Sequence, residues 1–437
     1  MKHFQALRNP VMVVFATVAV AMTLTIAAAA QARPFKVLHE FHGNFDGTAP
    51  TAALIEDSNG NLYGTTIAGG INNSNACGGG CGTVFELSPK VGGGWTKTTL
   101  HWFTGNSDGG QPTGALVLDG DGNLYGTTQN GGLVGCGGTC GVIYKLSPAS
   151  GSWTESTIYS FTGGSGGFEP SGLVRDTNGN LYGTTGSGGS NYGVAYELSE
   201  NAGVWTETVL HTFTNADGSL PDSALNLDGS GNLFGTTLEG GVLTGSCKTF
   251  GGCGTVFEIS PVSGGEWSFS EHMFTSAVKG LEPDGAALED AEGNLYGVTS
   301  TAGGSNTGFN GNVYKLSPVA GGGWTETVIH VFDLTNGRAP VGLVPDGSGG
   351  YYGTTAEGGN PSCQLGCGLV FDLTQTAKGG WEETILHHFS GLYDGNLPNA
   401  LIVDANGNIF GTTEVGGSTA CPGGCGTVFE IFAPVAK

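Results

Sequence analysis

The chain has 437 residues, of which 37 are acidic and 14 are Lys or Arg, for a formal net charge of −23. A surface with that surplus repels nucleic acid and anionic lipid, so neither is expected as a partner. Glycine supplies 83 residues, far above the usual ~7%, yet no collagen triplet is present and apolar β-formers recur at regular intervals. These are turn glycines of a β-protein, which excludes a fibrous or disordered chain.

The first residues read as a removable address. Lys2 and Arg8 make a positive start, Val11 to Ala30 is a continuous apolar and small-residue run, and Ala30-Gln31-Ala32 is a small-x-small cleavage site. A signal peptide over 1–32 and a mature chain from Arg33 are expected, the leader taking two cations and no acid with it. The rival is an uncleaved anchor, since about 20 apolar residues span a bilayer. No later segment is apolar enough to cross. The expected location is outside the cytoplasm: secreted, periplasmic or at the cell surface.

From residue 33 onward one phrase organises the chain. Asn61-Leu62-Tyr63-Gly64-Thr65-Thr66 returns six times, its aromatic falling at 63, 125, 182, 234, 296, 352 and 410. Seven copies at this spacing mean a repeat architecture. Each unit holds four strand-like runs, shown by the second. Gly114 to Asp119 is a short apolar strand a, and Gly120-Asp121-Gly122 turns into strand b, Asn123 to Thr128. After a Gly- and Cys-containing loop, Gly141 to Leu146 is strand c, and Trp153 to Phe161 is strand d. Apolar residues on both sides of strands b and d predict poor alternation in both.

Strand d begins at Trp95, Trp153, Trp205, Trp267, Trp324 and Trp381, which is one copy short. The seventh stands at the other end of the chain, where Phe35 to Phe41 matches Val209 to Phe213. An open solenoid has no reason to begin with the last quarter of a unit, whereas a closed ring does. The expectation is all-β: a single domain over 33–437, a seven-bladed β-propeller of four-stranded antiparallel blades, closed by the N-terminal strand completing the last blade. Strand a lines the channel and strand d the rim. The d–a and b–c connections then emerge on one face, and the a–b and c–d turns on the other.

The run Asp-Gly-x-x-Pro, then Leu-x-x-Asp-x-x-Gly-Asn-Leu-Tyr-Gly-Thr-Thr-x-x-Gly-Gly, then Gly-Thr-Val-Phe-x-Leu, resembles the GloVer tandem repeat across all seven units. That resemblance implies a bacterial surface or secreted protein and no established reaction. Members commonly carry a C-terminal anchoring signal; Ile431 to Lys437 shows none.

Candidate chemistry has to be separated from what merely repeats. Ten cysteines form five close pairs, all between strands b and c: Cys77/Cys81, Cys136/Cys140, Cys247/Cys253, Cys363/Cys367 and Cys421/Cys425. They come and go together, being absent from units three and five. In an exported protein this pattern reads as disulfides. Zinc is the rival, but it takes four ligands and a pair supplies two. His39, His101, His211, His272, His330 and His387 share one position in strand d, where Tyr159 stands third in the series, so they read as structural. The a–b turns, such as Asp57 to Asn61, have the oxygen-rich opening of a calcium loop without its distal Glu. They also suit tight hairpins, the preferred reading, so no cofactor and no metal are expected. The d–a connection carries Asp46, Asp108, Asp217 and Asp394 four residues before a Pro present in every unit, with Glu169 and Glu282 beside the Pro in two units lacking the Asp.

A binding or scaffold role without catalysis is therefore expected, for extracellular glycan or protein ligands, by a monomer. Asp46, Asp108, Asp217, Glu282 and Asp394 are the candidate contacts, on the loop face near the channel mouth. The alternative is a secreted polysaccharide lyase or hydrolase using loop carboxylates, with Glu169, Glu239, Glu282, Glu357 and Glu414 as candidates. A passive structural module is the third reading.

Overall fold

Seven blades form around a common centre in the computed structural model, which describes residues 33–70, 77–132, 140–276, 279–301 and 310–433. The expected leader, 1–32, and Cys136 lie outside the described residues. Each blade is an antiparallel sheet in the order a-b-c-d. Blade 3 shows the complete unit: Phe168–Arg175, Leu181–Ser187, Val194–Asn201 and Val204–Thr212. In blades 1, 2 and 4 strand a shrinks to Ile55–Glu56, Val117–Leu118 and Asn226–Leu227. The a strands crowd the axis: a Cβ placed on Gly114 of blade 2 would lie 2.7 Å from the Cα of Gly172 in blade 3.

The seventh blade closes as expected. Phe35–Glu40 pairs antiparallel with Thr427–Ile431, running from Phe35 opposite Ile431 to Glu40 opposite Thr427. One further bond extends the pairing, from the Phe41 N–H to the Gly426 carbonyl at 3.0 Å.

The core lies between blades. The Phe two residues after each strand-d His (or Tyr159) is fully buried and meets the strand-c aromatic of the next blade. The pairs include Phe41 with Phe85 at 5.2 Å, Phe103 with Tyr144 at 4.9 Å and Phe389 with Phe429 at 5.2 Å. Such pairs contribute about 0.5–1.5 kcal/mol each beyond their burial. Each strand-d Trp packs the other way, onto the strand-b aromatic of the preceding blade, as Trp153 does on Tyr63 at 6.2 Å. Gly126 in strand b is required by this packing, since a Cβ there would meet the Tyr144 hydroxyl at 2.4 Å.

Strand b is buried along its whole length, as its sequence suggests. Strand d differs from the expectation: its first half alternates, with Thr96 and Thr98 exposed between half-buried neighbours. The cause is its rim position, where one face of this half covers the preceding blade, as Trp95 and Lys97 do, and the other meets solvent.

The Pro of the d–a connection ties neighbouring blades together. A Cβ on Gly82, just before strand c of blade 1, would meet Pro112 of blade 2 at 2.6 Å, and Gly82 itself sits at φ +92°. The residue before this Pro is left-handed in all seven units: Ala49, Gln111, Glu169, Leu220, Glu282, Ala339 and Leu397. Non-glycine residues adopt that conformation at a cost. The backbone hydrogen bonds it permits offset that cost, for the Ala49 N–H reaches the Cys425 carbonyl at 2.9 Å and the Gln111 N–H reaches that of Cys81 at 2.7 Å.

Candidate functional site

The two faces of the ring differ in what their side chains are left to do. On the a–b turn face, Asp57 accepts from the N–H groups of Asn59 and Asn61 with one oxygen, and from Asn61 Nδ2 and the Tyr63 hydroxyl with the other. Asp119 and Asp176 repeat the arrangement. Donors surround these carboxylates, where a cation would need further oxygens.

The loop face carries the d–a and b–c connections. Four of its cysteine pairs are bonded: Cys77–Cys81, Cys247–Cys253, Cys363–Cys367 and Cys421–Cys425, with Cα separations of 5.2, 4.8, 5.3 and 5.2 Å. Cys140 is also disulfide-bonded. Among the described residues, no group of three or more His, Cys, Asp or Glu is arranged to hold a metal ion.

The repeated histidines and loop aspartates come together. His39 donates to Asp46 at 3.1 Å, His101 to Asp108 at 3.3 Å, His211 to Asp217 at 3.2 Å and His387 to Asp394 at 3.1 Å. Each carboxylate also accepts a backbone N–H of its own loop, from His42, Thr104, Thr214 and Ser390 in turn. Burial alone would raise the Asp46 carboxyl, but His39 and Lys97 outweigh it and hold it well below the usual range. Asp108 and Asp394 are lowered in the same way, burial being overcome by their His and by Thr104 or Ser390. Glu282 stands apart from these turns and accepts from the Thr301 hydroxyl.

Where the loop lacks an Asp, the anion comes from strand d of the next blade. His272 meets Glu326 at 3.3 Å, His330 meets Glu383 at 3.3 Å, and the Tyr159 hydroxyl donates to Glu207 at 2.8 Å. Glu169 and Glu282, beside the Pro in two of these units, are not the substitutes. The third partner varies: Lys97 Nζ reaches Asp46 at 2.9 Å, and the Phe269 and Phe35 rings stack on His211 and His387 at 3.7 Å. Sequence reasoning missed this alternation because the compensating Glu lies about fifty residues downstream. The signal was present two residues after each Trp, where Glu155, Glu207, Glu326 and Glu383 alternate with Lys97 and Phe269.

A second set went unnoticed. Immediately after the Pro, blades 4 and 5 carry Asp222 and Asp284, where other units have Thr51, Thr113, Ser171, Val341 and Asn399. Asp284 is pushed up to about 6, chiefly by burial, with the Asp222 and Glu282 charges adding to it and the Gly285 N–H opposing. Asp222 is raised by burial and by Glu169. Aligning the residue after the Pro would have exposed both, since five of the seven units carry no charge there. Of the other loop carboxylates, Glu357 pairs with Arg338 at 3.0 Å.

The Gloeobacter/Verrucomicrobia repeat matches residues 23–154, 133–359 and 245–429. The chain belongs to that repeat family. No curated protein matches this sequence. Among solved structures, the chain resembles the extracellular domain of a putative one-component system from B. thetaiotaomicron, at 12% identity and TM-score 0.51, over 92% of this chain and 41% of that one. It also resembles PorZ, an essential surface component of the type-IX secretion system of Porphyromonas gingivalis, at 14% identity and TM-score 0.53, over 90% and 47%. A putative 6-phosphogluconolactonase from Bacteroides uniformis matches at 12% identity and TM-score 0.50, over 77% and 84%. The repeat protein thus spans less than half the length of the first two chains, and at these identities the likeness is one of fold. Among the described residues, no helix is long and apolar enough to cross a membrane.

Proposed function

We propose that this repeat protein is an exported, non-catalytic binding or surface-scaffold propeller whose ligands, extracellular glycans or proteins, meet the loop face. The contrast between the two faces carries the reading. The turn face repeats one short hairpin whose Asp is saturated by its own turn. The loop face carries b–c connections that vary from residues 188–193 in blade 3 to 238–254 in blade 4, fixed by disulfides and His–Asp pairs. Variable loops on a rigid scaffold are where recognition concentrates. The extracellular and surface settings of two structural neighbours support export.

In this reading Asp46, Asp108, Asp217 and Asp394 hold the loops and offer the part-exposed edges of their carboxylates to a ligand, while Glu282 serves the channel-side end. The scaffold works as a monomer and needs no cofactor. Screening glycan and peptide arrays, with reducing-end assays alongside, tests the reading. Binding without turnover is expected, weakened when the four aspartates are changed together to Asn. Turnover abolished by one Glu→Gln change would show an enzyme instead, and blank arrays would leave a passive module. Melting is expected to be the same with calcium and with a chelator.

A further inference from the structure

Five large apolar side chains exposed on the loop face fall in one arc, while a sixth, Leu243 at 40%, stands apart in the b–c loop of blade 4. Phe45 is 67% exposed, Leu334 54%, Leu365 46%, Leu392 65% and Tyr393 73%. They belong to three successive blades, 6, 7 and 1, and so straddle the seam of the ring. Two backbone bonds hold Leu334 and Leu365 in one loop cluster, since the adjacent Gly358 and Gly359 donate to the carbonyls of Leu365 and Leu334 at 2.8 and 2.9 Å. Trp102 Nε1 fixes the Phe45 carbonyl at 2.9 Å. The corresponding loop pairs elsewhere are Asn106-Ser107, Gly164-Ser165 and Asn215-Ala216; the pair for blade 5, 277–278, lies outside the described residues. The folding of the loop therefore does not require the apolar residues. On the turn face, exposed Val91, Val204, Val262 and Val319 are single residues in separate blades. Scattered singles are ordinary, whereas a polarised group marks an interface.

We propose that this arc docks a cationic polypeptide segment carrying leucine or aromatic side chains; the inference rests on the binding-module reading above and names its partner. Charge selects the occupant. Asp46 and Asp394 directly follow Phe45 and Tyr393, and exposed Asp333 precedes Leu334. The nearby cations are already engaged, Lys97 with Asp46 and Arg338 with Glu357. An apolar patch rimmed by acid on a chain of net charge −23 favours a basic partner and opposes a second copy. Three of the five side chains are leucines, which lack the flat face that stacks on a sugar ring, so a polypeptide fits better than a glycan.

The test uses the full oxidised chain and a labelled peptide of leucines and lysines, followed by fluorescence anisotropy. Two control peptides carry Glu in place of Lys or Ser in place of Leu. The patch variant combines Phe45→Ser, Leu334→Asn, Leu392→Asn and Tyr393→Ser, which copies the polar loop of blade 2. The Leu–Lys peptide should bind the wild type and lose at least about tenfold in affinity on the patch variant. The controls should bind more weakly, and Val91→Ser with Val262→Ser should change nothing. An unchanged melting curve shows that the patch variant is folded. Equal affinity for wild type and patch variant overturns the proposal, as does equal binding of the Glu control. A wild-type dimer in sedimentation that the variant abolishes would identify a second copy as the occupant and overturn it too. Glycan binding that is insensitive to the patch would sink this inference while leaving the binding module standing; silence from both ligand classes would remove both.

Discussion

Arg33 should be a working part of the ring. Six blades place a strand-d Trp against the strand-b aromatic of the preceding blade, and the seventh has Arg33 at that position. Its guanidinium lies 4.9 Å from the Tyr352 ring centroid, donates to the Tyr352 hydroxyl at 2.8 Å, and comes within 4.0 Å of Asp372. Arg33 and Asp372 are only 11% and 16% exposed, so screening is weak. A cation–π contact of this kind contributes about 1–2 kcal/mol, and a hydrogen bond from a charged group about 1.5–3 kcal/mol. One guanidinium makes both, so they do not add, and Arg33→Ala should cost about 2–3 kcal/mol. At ~2 cal/mol/K of unfolding entropy per residue, a chain of this length loses about 1 °C per kcal/mol, so the melting midpoint should fall by about 2–4 °C. Arg33→Trp should recover most of the loss, because Trp153 and Trp95 pack on Tyr63 and Phe410, whose strand-c partners Glu86 and Glu430 hold the register of Asp372 opposite Tyr352. Differential scanning calorimetry of the chain from Arg33 onward measures this. An Arg33→Ala protein melting within a degree of the parent would refute the argument. Equal losses for Ala and Trp would refute the equivalence with the other blades.

Deleting 33–43 removes the whole closing strand with the burial of Phe41, and should cost several kcal/mol, comparable to the stability of a domain; chemical denaturation checks it, and a midpoint equal to the parent's would disprove closure at this seam. Asp46, Asp108 and Asp394 have folded pKa values below their unfolded ones, so the stability they supply is complete above the unfolded value near ~4 and lost as pH falls through the folded values. Unfolding by acid should therefore begin below about pH 4 and weaken in its pH dependence when the three are changed to Asn. Asp284 works in the opposite sense: its folded value is raised to about 6, so its penalty is absent below the unfolded value and complete above the folded one. Asp284→Asn should raise stability at pH 8 by up to about 3 kcal/mol and leave it unchanged at pH 3.5, as read by urea midpoints at both pH values. Intact mass spectrometry without reductant should find no free thiol among the ten cysteines, and reduction should cost each small loop about 2 kcal/mol or less.

Periodicity made most of the architecture readable. The Asn-Leu-Tyr-Gly-Thr-Thr phrase located strand b, the Trp located strand d, and the missing seventh Trp forced the ring to close through Phe35 to Phe41. A local pattern exposes whatever depends on neighbours a few residues away, as with Asp57 and its own turn. It does not expose a side chain whose partner lies one blade on. Arg33 reads as no more than the expected first residue of the mature chain until Tyr352, 319 positions away, is seen beneath it. Strand-d alternation was likewise hidden although the rim position was expected, because which of its side chains are covered depends on the neighbouring blade.

The seven blade junctions explain why the repeat tolerates so much variation on the loop face. Each junction buries an imidazole or a phenol that needs an acceptor, and a buried donor without one costs about 1–3 kcal/mol. Two positions can supply the acceptor: the d–a loop of the same unit, or strand d of the next. His101 has both kinds of acid nearby, Asp108 in contact and Glu155 with its carboxyl raised by burial. His211 has the loop Asp and leaves the other position free for Phe269 to stack. His272 reverses the arrangement: its acid is Glu326, and the loop position becomes Lys279, which reaches the same carboxylate at 3.2 Å. An Asp→Lys exchange in the loop is thus harmless when a Glu stands one blade on, and disruptive when a Phe stands there. A double-mutant cycle tests this dependence: Asp217→Lys should destabilise the parent and be largely rescued by adding Phe269→Glu. If the two changes merely add, the junctions are not acting as single units.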